Sequence, residues 1–83
     1  MKVTVRYFAS VREALGNGEQ VEVPAGATVG AVRDALIARD AAHAAALGRG
    51  RAVRSAVDQV LCDEHAIVAE GAEVGFFPPV TGG

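Results

Sequence analysis

The sequence predicts an α+β fold of two layers, a mixed sheet packed on one main helix with additional short helices. Three observations predict it. Residues 2 to 8, KVTVRYF, alternate apolar and polar with the period of a half-buried strand. After Thr28, Val29, Val32 and Leu36 recur at the i, i+3, i+7 spacing of an amphipathic helix. The remaining β-branched runs are short and bounded by turn residues, giving the order strand, helix, strand, helix, strand, strand, strand.

In the first strand Val3, Val5 and Tyr7 point inward, against Lys2, Thr4 and Arg6. Ser10 is the expected N-cap of a short helix that ends near Gly16 and carries Val11, Ala14 and Leu15 on one side. Gly16-Asn17-Gly18 is turn chemistry. Gln20 to Val23 alternates again, with Val21 and Val23 inward, until Pro24 stops the strand. Thr28 caps the main helix, which is expected to run to about Arg39 with Arg33 and Asp34 off its apolar stripe. Ala41 to Leu47 is an alanine-rich helix with His43 expected on its exposed side. Gly48-Arg49-Gly50-Arg51 reads as a mobile loop, and its arginines, with Arg54, as solvated charges. Val53, Ser55 and Val57 form the third strand, Asp58-Gln59 a turn, and Val60 to Cys62 a short fourth strand. Glu70-Gly71 is the next turn, and Val74 to Phe77 the last strand, ended by Pro78-Pro79.

Eighty-three residues allow one small domain, residues 1–83, and neither a repeat nor a linker divides them. With 51% hydrophobic and 22% charged residues the composition is globular rather than disordered. A net charge of −2 argues against nucleic acid as a partner. No stretch free of Asp, Glu, Lys and Arg exceeds ten residues, so no membrane span is expected. Met1-Lys2 leads directly into a strand pattern that Arg6 interrupts, which leaves no signal-peptide core, and Cys62 is a single thiol. A cytoplasmic location is the expectation.

Catalytic constellations are missing from the pattern. His43, His65 and Cys62 lack the spacing of a metal site. Asp63 and Glu64 follow Cys62 directly and disfavour a thiolate there, so Cys62 reads as a strand residue. Neither glycine-rich stretch matches a phosphate cradle. Ser10, Ser55 and the histidines form no nucleophile–base pattern.

The last eight residues, FFPPVTGG, differ from the rest. One reading is a chain end that simply frays. The other is a carboxylate projected on purpose: Pro78-Pro79 stiffens the exit along an extended path over residues 78–83. Gly82-Gly83, without side chains, can thread a narrow tunnel. The Gly83 carboxylate is a poor acyl donor until it is converted to an acyl-adenylate. A sulfur nucleophile can then displace AMP and leave a thiocarboxylate.

These residues resemble the small-subunit family of molybdopterin synthase, often called MoaD. The resemblance spans nearly the whole chain and is carried by Arg6 to Glu13 (RYFASVRE), by Ala56-Val57-Asp58-Gln59, and above all by Glu73 to Gly83 (EVGFFPPVTGG). It implies a ubiquitin-like β-grasp fold. It also implies that Gly83 is adenylated by an E1-like, ATP-using adenylyltransferase, receives sulfur from a donor, and carries AMP or sulfur covalently without any permanently bound cofactor. The loaded tail, Pro78, Pro79, Val80, Thr81, Gly82 and Gly83, would enter the large subunit of a heterotetrameric synthase and give sulfur to cyclic pyranopterin monophosphate. In such a subunit the partners supply the catalytic side chains.

By position, the family's docking patch falls on Phe8, Leu61 and Phe77. Phe8 shares the parity of Lys2, Thr4 and Arg6, so it is either exposed for a partner or packed under the helix that follows. Asp58 stands where the family usually has Asn, and Ala72 where an acidic residue is common. Carriers for thiazole synthesis, tRNA thiolation or cysteine synthesis, a lysine-linked protein modifier, and an interaction module with an inert tail are the alternatives.

Overall fold

The computed structural model describes residues 1–79. Its elements are β1 (Lys2–Tyr7), α1 (Ala9–Leu15), β2 (Gly18–Glu22), α2 (Val29–Ile37), α3 (Ala41–Leu47), β3 (Arg54–Val57), β4 (Val60–Cys62) and β5 (Glu73–Phe77). They build one sheet in the order β2-β1-β5-β3-β4. The pair β1–β5 is parallel, and the other three pairs are antiparallel. The sheet is thus mixed, with its first and last strands adjacent at the centre.

Strand alternation decides which face meets the helices. Val3, Val5 and Tyr7 of β1 are buried with Val21, Val74 and Phe76 from the neighbouring strands. Val29, Val32 and Leu36 of α2 and Leu47 of α3 complete that core. Thr28 caps α2 as expected, its Oγ1 accepting from Ala31 N at 3.1 Å. The helix stops at Ile37, two residues short of the expected end, because Ala38 closes it and Asp40 turns extended to cap α3.

Several local expectations are corrected. Ser10 is not a cap: Phe8 occupies the N-cap position of α1 without any side-chain bond, and Ser10 lies within the helix. The chain leaves β1 so sharply that Ala9 takes φ 52°, and the helix begins before Ser10 is reached.

Arg33 does not lie off the buried face of α2 but is 4% exposed. Its Nε donates to Leu47 O at 2.7 Å, and its Nη2 to Gly48 O at 2.9 Å and Arg51 O at 3.1 Å. Its Nη1 meets Glu64 Oε2 at 2.7 Å. The guanidinium therefore serves Leu47 O and Gly48 O, which the end of α3 leaves without intrahelical donors, and ties the Arg51 carbonyl of the following loop to them. For the same reason the Gly48–Arg51 segment is tied down rather than mobile. Arg49 is no free charge either: it bonds Asp34, Glu64 and Gly30 O, and Arg51 bonds Ala45 O. The Arg33 and Arg49 contacts hold the Glu64 carboxyl below the usual range, outweighing the upward push of its burial.

His43 is buried, not exposed. Its Nδ1 meets Asp40 Oδ1 at 2.7 Å and its Nε2 meets Glu19 Oε2 at 2.6 Å, an oxygen that also accepts from the Tyr7 hydroxyl at 2.6 Å. Burial alone would depress the imidazole, but its bonds to Glu19 and Asp40 outweigh that and raise its pKa above 6.5. Burial likewise pushes Glu19 up, and the bonds from Tyr7 and His43 reverse this and hold it below 4.5. The two shifts set a pH window. The His43 contribution is full below about pH 6.5 and disappears as pH rises through its raised folded pKa; the Glu19 contribution disappears as pH falls through its lowered one. Thermal melts should therefore show a maximum at about pH 5–6.5, with the alkaline decline flattened in His43→Gln. An equal alkaline decline in that variant would contradict this assignment.

No helix among the described residues is long and apolar enough to cross a membrane.

Candidate functional site: an apolar groove beside the exit of the chain

With all helices on one face, the other face of the sheet is open, and the strand register sets its composition. Arg6 of β1 lies beside Gly75 of β5, Gly75 beside Ala56 of β3, and Ala56 beside Leu61 of β4. Two small residues thus form the floor of a row whose ends are long. In the next row, Phe8 N donates to Phe76 O at 3.1 Å, which extends the β1–β5 ladder and sets Phe8 next to Phe77. The two rings meet edge to face, with centroids 6.5 Å apart and planes at 79°. A groove of about 380 Å³ results, walled by Phe8, Phe77 and Leu61 over Gly75 and Ala56.

The three docking residues expected from the sequence, far apart in the chain, are brought around this one groove. Phe8 is 41% exposed and Leu61 64%, while Phe77 is half-buried. Phe8 therefore faces outward and does not pack under α1. Gly75 and Ala56 were not legible as site residues, because their role depends on cross-strand register. A Cβ at Gly75 would come within 3.1 Å of Phe8 Cε2, so any larger residue displaces that ring and fills the floor.

One end of the groove is polar. The Arg6 guanidinium sits 5.9 Å from the Phe8 ring centroid and 3.7 Å from Glu73 Oε2. Nearby, Asp58 and Gln59 both have positive φ, 48° and 69°, which fits a type I′ hairpin turn between β3 and β4. Asp58 Oδ1 accepts from Glu73 N at 3.0 Å, so aspartate serves this turn.

β5 runs toward the Phe8–Phe77 end of the groove, and the chain leaves there through the half-buried Pro78 and Pro79. Val80, Thr81, Gly82 and Gly83 lie outside the described residues. Elsewhere the described residues offer little chemistry. Cys62 is half-buried in β4, its Sγ 4.0 Å from Ser55 Oγ. No cluster of three or more His, Cys, Asp or Glu side chains among them is arranged to hold a metal ion.

A mixed five-strand sheet on a central helix, open on one face and releasing its last strand beside an apolar groove, defines the ubiquitin-like β-grasp class. The chain belongs to the ThiS family, whose model matches residues 5–83. It is 42% identical to the molybdopterin synthase sulfur carrier subunit of Escherichia coli K12, over 98% of this chain and 99% of that one. It is 39% identical to the subunit of the same name from Haemophilus influenzae, with the same coverage. Among solved structures, the small archaeal modifier protein 1 of Haloferax volcanii superposes with a TM-score of 0.77 at 27% identity, covering 95% of this chain and 98% of that one.

Proposed function

We propose that this chain is the sulfur-carrier subunit of a molybdopterin synthase and that residues 78–83 are its working tail. The observation that carries the reading is the apolar groove placed at the root of a segment ending in Gly82-Gly83. An E1-like adenylyltransferase joins the Gly83 carboxylate to the α-phosphate of ATP, and pyrophosphate leaves. Sulfur at the sulfide level, supplied by a donor, then attacks the acyl carbon and AMP leaves with its electron pair, giving the thiocarboxylate. In the large subunit the thiocarboxylate sulfur bonds to a carbon of cyclic pyranopterin monophosphate and displaces an oxygen substituent there. Water then hydrolyses the acyl–sulfur bond, so that the sulfur stays on the pterin and the carrier departs as the carboxylate. The groove docks an apolar side chain of that subunit in a heterotetramer, while Pro78 and Pro79 aim Val80 to Gly83 into its active site. All of this takes place in the cytoplasm.

Docking is tested through Leu61, the most exposed wall of the groove. Leu61→Asp should weaken binding to the large subunit at least about 30-fold, as loss of an apolar anchor of about 2 kcal/mol would. Its far-UV spectrum and melting temperature should be unchanged, since the side chain is 64% exposed. Unaltered affinity in a titration against the large subunit would remove the groove from the interface.

The likeness to an archaeal modifier protein favours a second reading, in which Gly83 is joined to lysines of other proteins. Adducts that survive reductant would favour it. Carriage of sulfur for thiazole synthesis, tRNA thiolation or cysteine synthesis uses the same Gly83 chemistry and differs only in the partner recognised.

A further inference from the structure

An activated acyl group reacts with any neutral amine it can reach, so a carrier of one faces capture by its own chain. This chain contains seven arginines but a single lysine, Lys2. β1 and β5 are parallel, so Lys2 at the start of β1 lies at the opposite end of the sheet from Phe77, where the chain leaves. The α-amine of Met1 lies at that far end too, donating to Val23 O at 2.7 Å.

The separation can be compared with the reach of the tail. Six residue steps from Lys2 to the level of Phe8 and Phe77 span about 20 Å of strand. Pro78 shares a depression with Ser10 and Ala14 of α1 and with Ala52, at the Tyr7 end of β1. The six residues after Phe77 span at most about 20 Å. Gly83 would therefore meet Lys2 only if that whole segment, Pro78 and Pro79 included, doubled back fully extended along the sheet.

Close to the exit the cations are all guanidinium. Arg54 pairs in register with Phe77. Arg12 lies one helical turn from Phe8, its N donating to Phe8 O at 3.3 Å, and Arg51 lines the depression that holds Pro78. A guanidinium supplies positive charge to an anionic tail but stays protonated and is no nucleophile.

We propose that this arrangement is a selectivity determinant of the carrier: Arg12, Arg51 and Arg54, on the segments next to the exit, bring charge but no amine, and the two amines lie at the far end of the sheet. The activated Gly83 carbonyl is thereby reserved for an external nucleophile. In the reaction avoided, a lysine Nζ lone pair attacks the Gly83 carbonyl carbon and a C–N bond forms. The bond to AMP or to a thiol then breaks, the leaving group keeps the electron pair, and the amine proton passes to water.

The inference rests on Gly83 being the activated group, so its test bypasses the biological activation. The full chain is prepared as a Gly83 thioester by intein cleavage, held at mildly alkaline pH, and followed by intact mass and peptide mapping. The wild type should hydrolyse to the acid alone. Arg54→Lys and Arg12→Lys, both at exposed positions, should each give a product lighter than the acid by one water, mapped to the new lysine and at least tenfold above wild type. A wild-type product of that mass, or its absence from both variants, would overturn the proposal. Neither outcome touches the sulfur-transfer reading, which stands or falls on turnover with the large subunit.

Discussion

Deleting Gly83 should reduce sulfur transfer to the level seen without any carrier, while leaving the melting temperature where it was. The asymmetry follows from where the two properties reside. Stability comes from the core of Val3, Val5, Tyr7, Val32, Leu36, Val74 and Phe76, none of which the deletion touches. The reaction needs one carbonyl carbon at one distance from the body, and a chain one residue shorter presents it about 3.3–3.6 Å too early. Reactivity is sensitive to displacements of that size. Gly82→Phe should act differently and almost as strongly, since the carboxylate is retained but a side chain must enter a passage sized for glycine. Assays of thiocarboxylate formation and of dithiolene product, alongside thermal melts, check both variants. Wild-type turnover from the Gly83-deleted chain would sink the account of the tail.

The second large effect is on stability. Arg33→Met should lower the unfolding free energy by roughly 3–5 kcal/mol, the usual result of removing one partner of a buried ionic network. Such a domain should have only about 4–12 kcal/mol in total. Methionine replaces the buried stem, but Leu47 O and Arg51 O lose the guanidinium donor, Gly48 O keeps only Arg51 N, and Glu64 loses one of its two arginines. Arg33→Lys should recover only part of the loss, because an ammonium cannot reproduce the planar fork that reaches these acceptors together. Urea unfolding followed by far-UV circular dichroism measures both. A loss below about 1 kcal/mol for Arg33→Met would mean that water replaces the guanidinium at small cost.

Much of the architecture was legible because it follows from local periodicity. Alternation placed Val3, Val5, Tyr7 and Val21 in the core, and the Thr28 cap with its following stripe placed Val29, Val32 and Leu36 there. Local signals failed where a distant partner decides. His43 is buried because Glu19, 24 residues away, waits on β2, and Arg33 because Glu64, 31 residues away, and the end of α3 converge on it. Neither partner leaves a trace within one helical turn. Ser10 carried a real capping preference, but tertiary placement of Phe8 set the helix start first.

The same division holds at the groove. The parity of Phe8 pointed outward, and its position beside Phe77 and Leu61 came from resemblance. Gly75 and Ala56 required the register of three strands before they could be seen as a floor. Arg54 beside the exit emerged the same way, through its pairing with Phe77.

The central claim is that sulfur leaves this chain from Gly83 and reaches the pterin. The most direct test is a single turnover of the Gly83 thiocarboxylate with a molybdopterin synthase large subunit and cyclic pyranopterin monophosphate, following dithiolene product and the intact mass of the carrier together. The account predicts that product appears as the carrier mass falls from thiocarboxylate to carboxylate. A thiocarboxylate that persists, with no product from a competent large subunit, would contradict it.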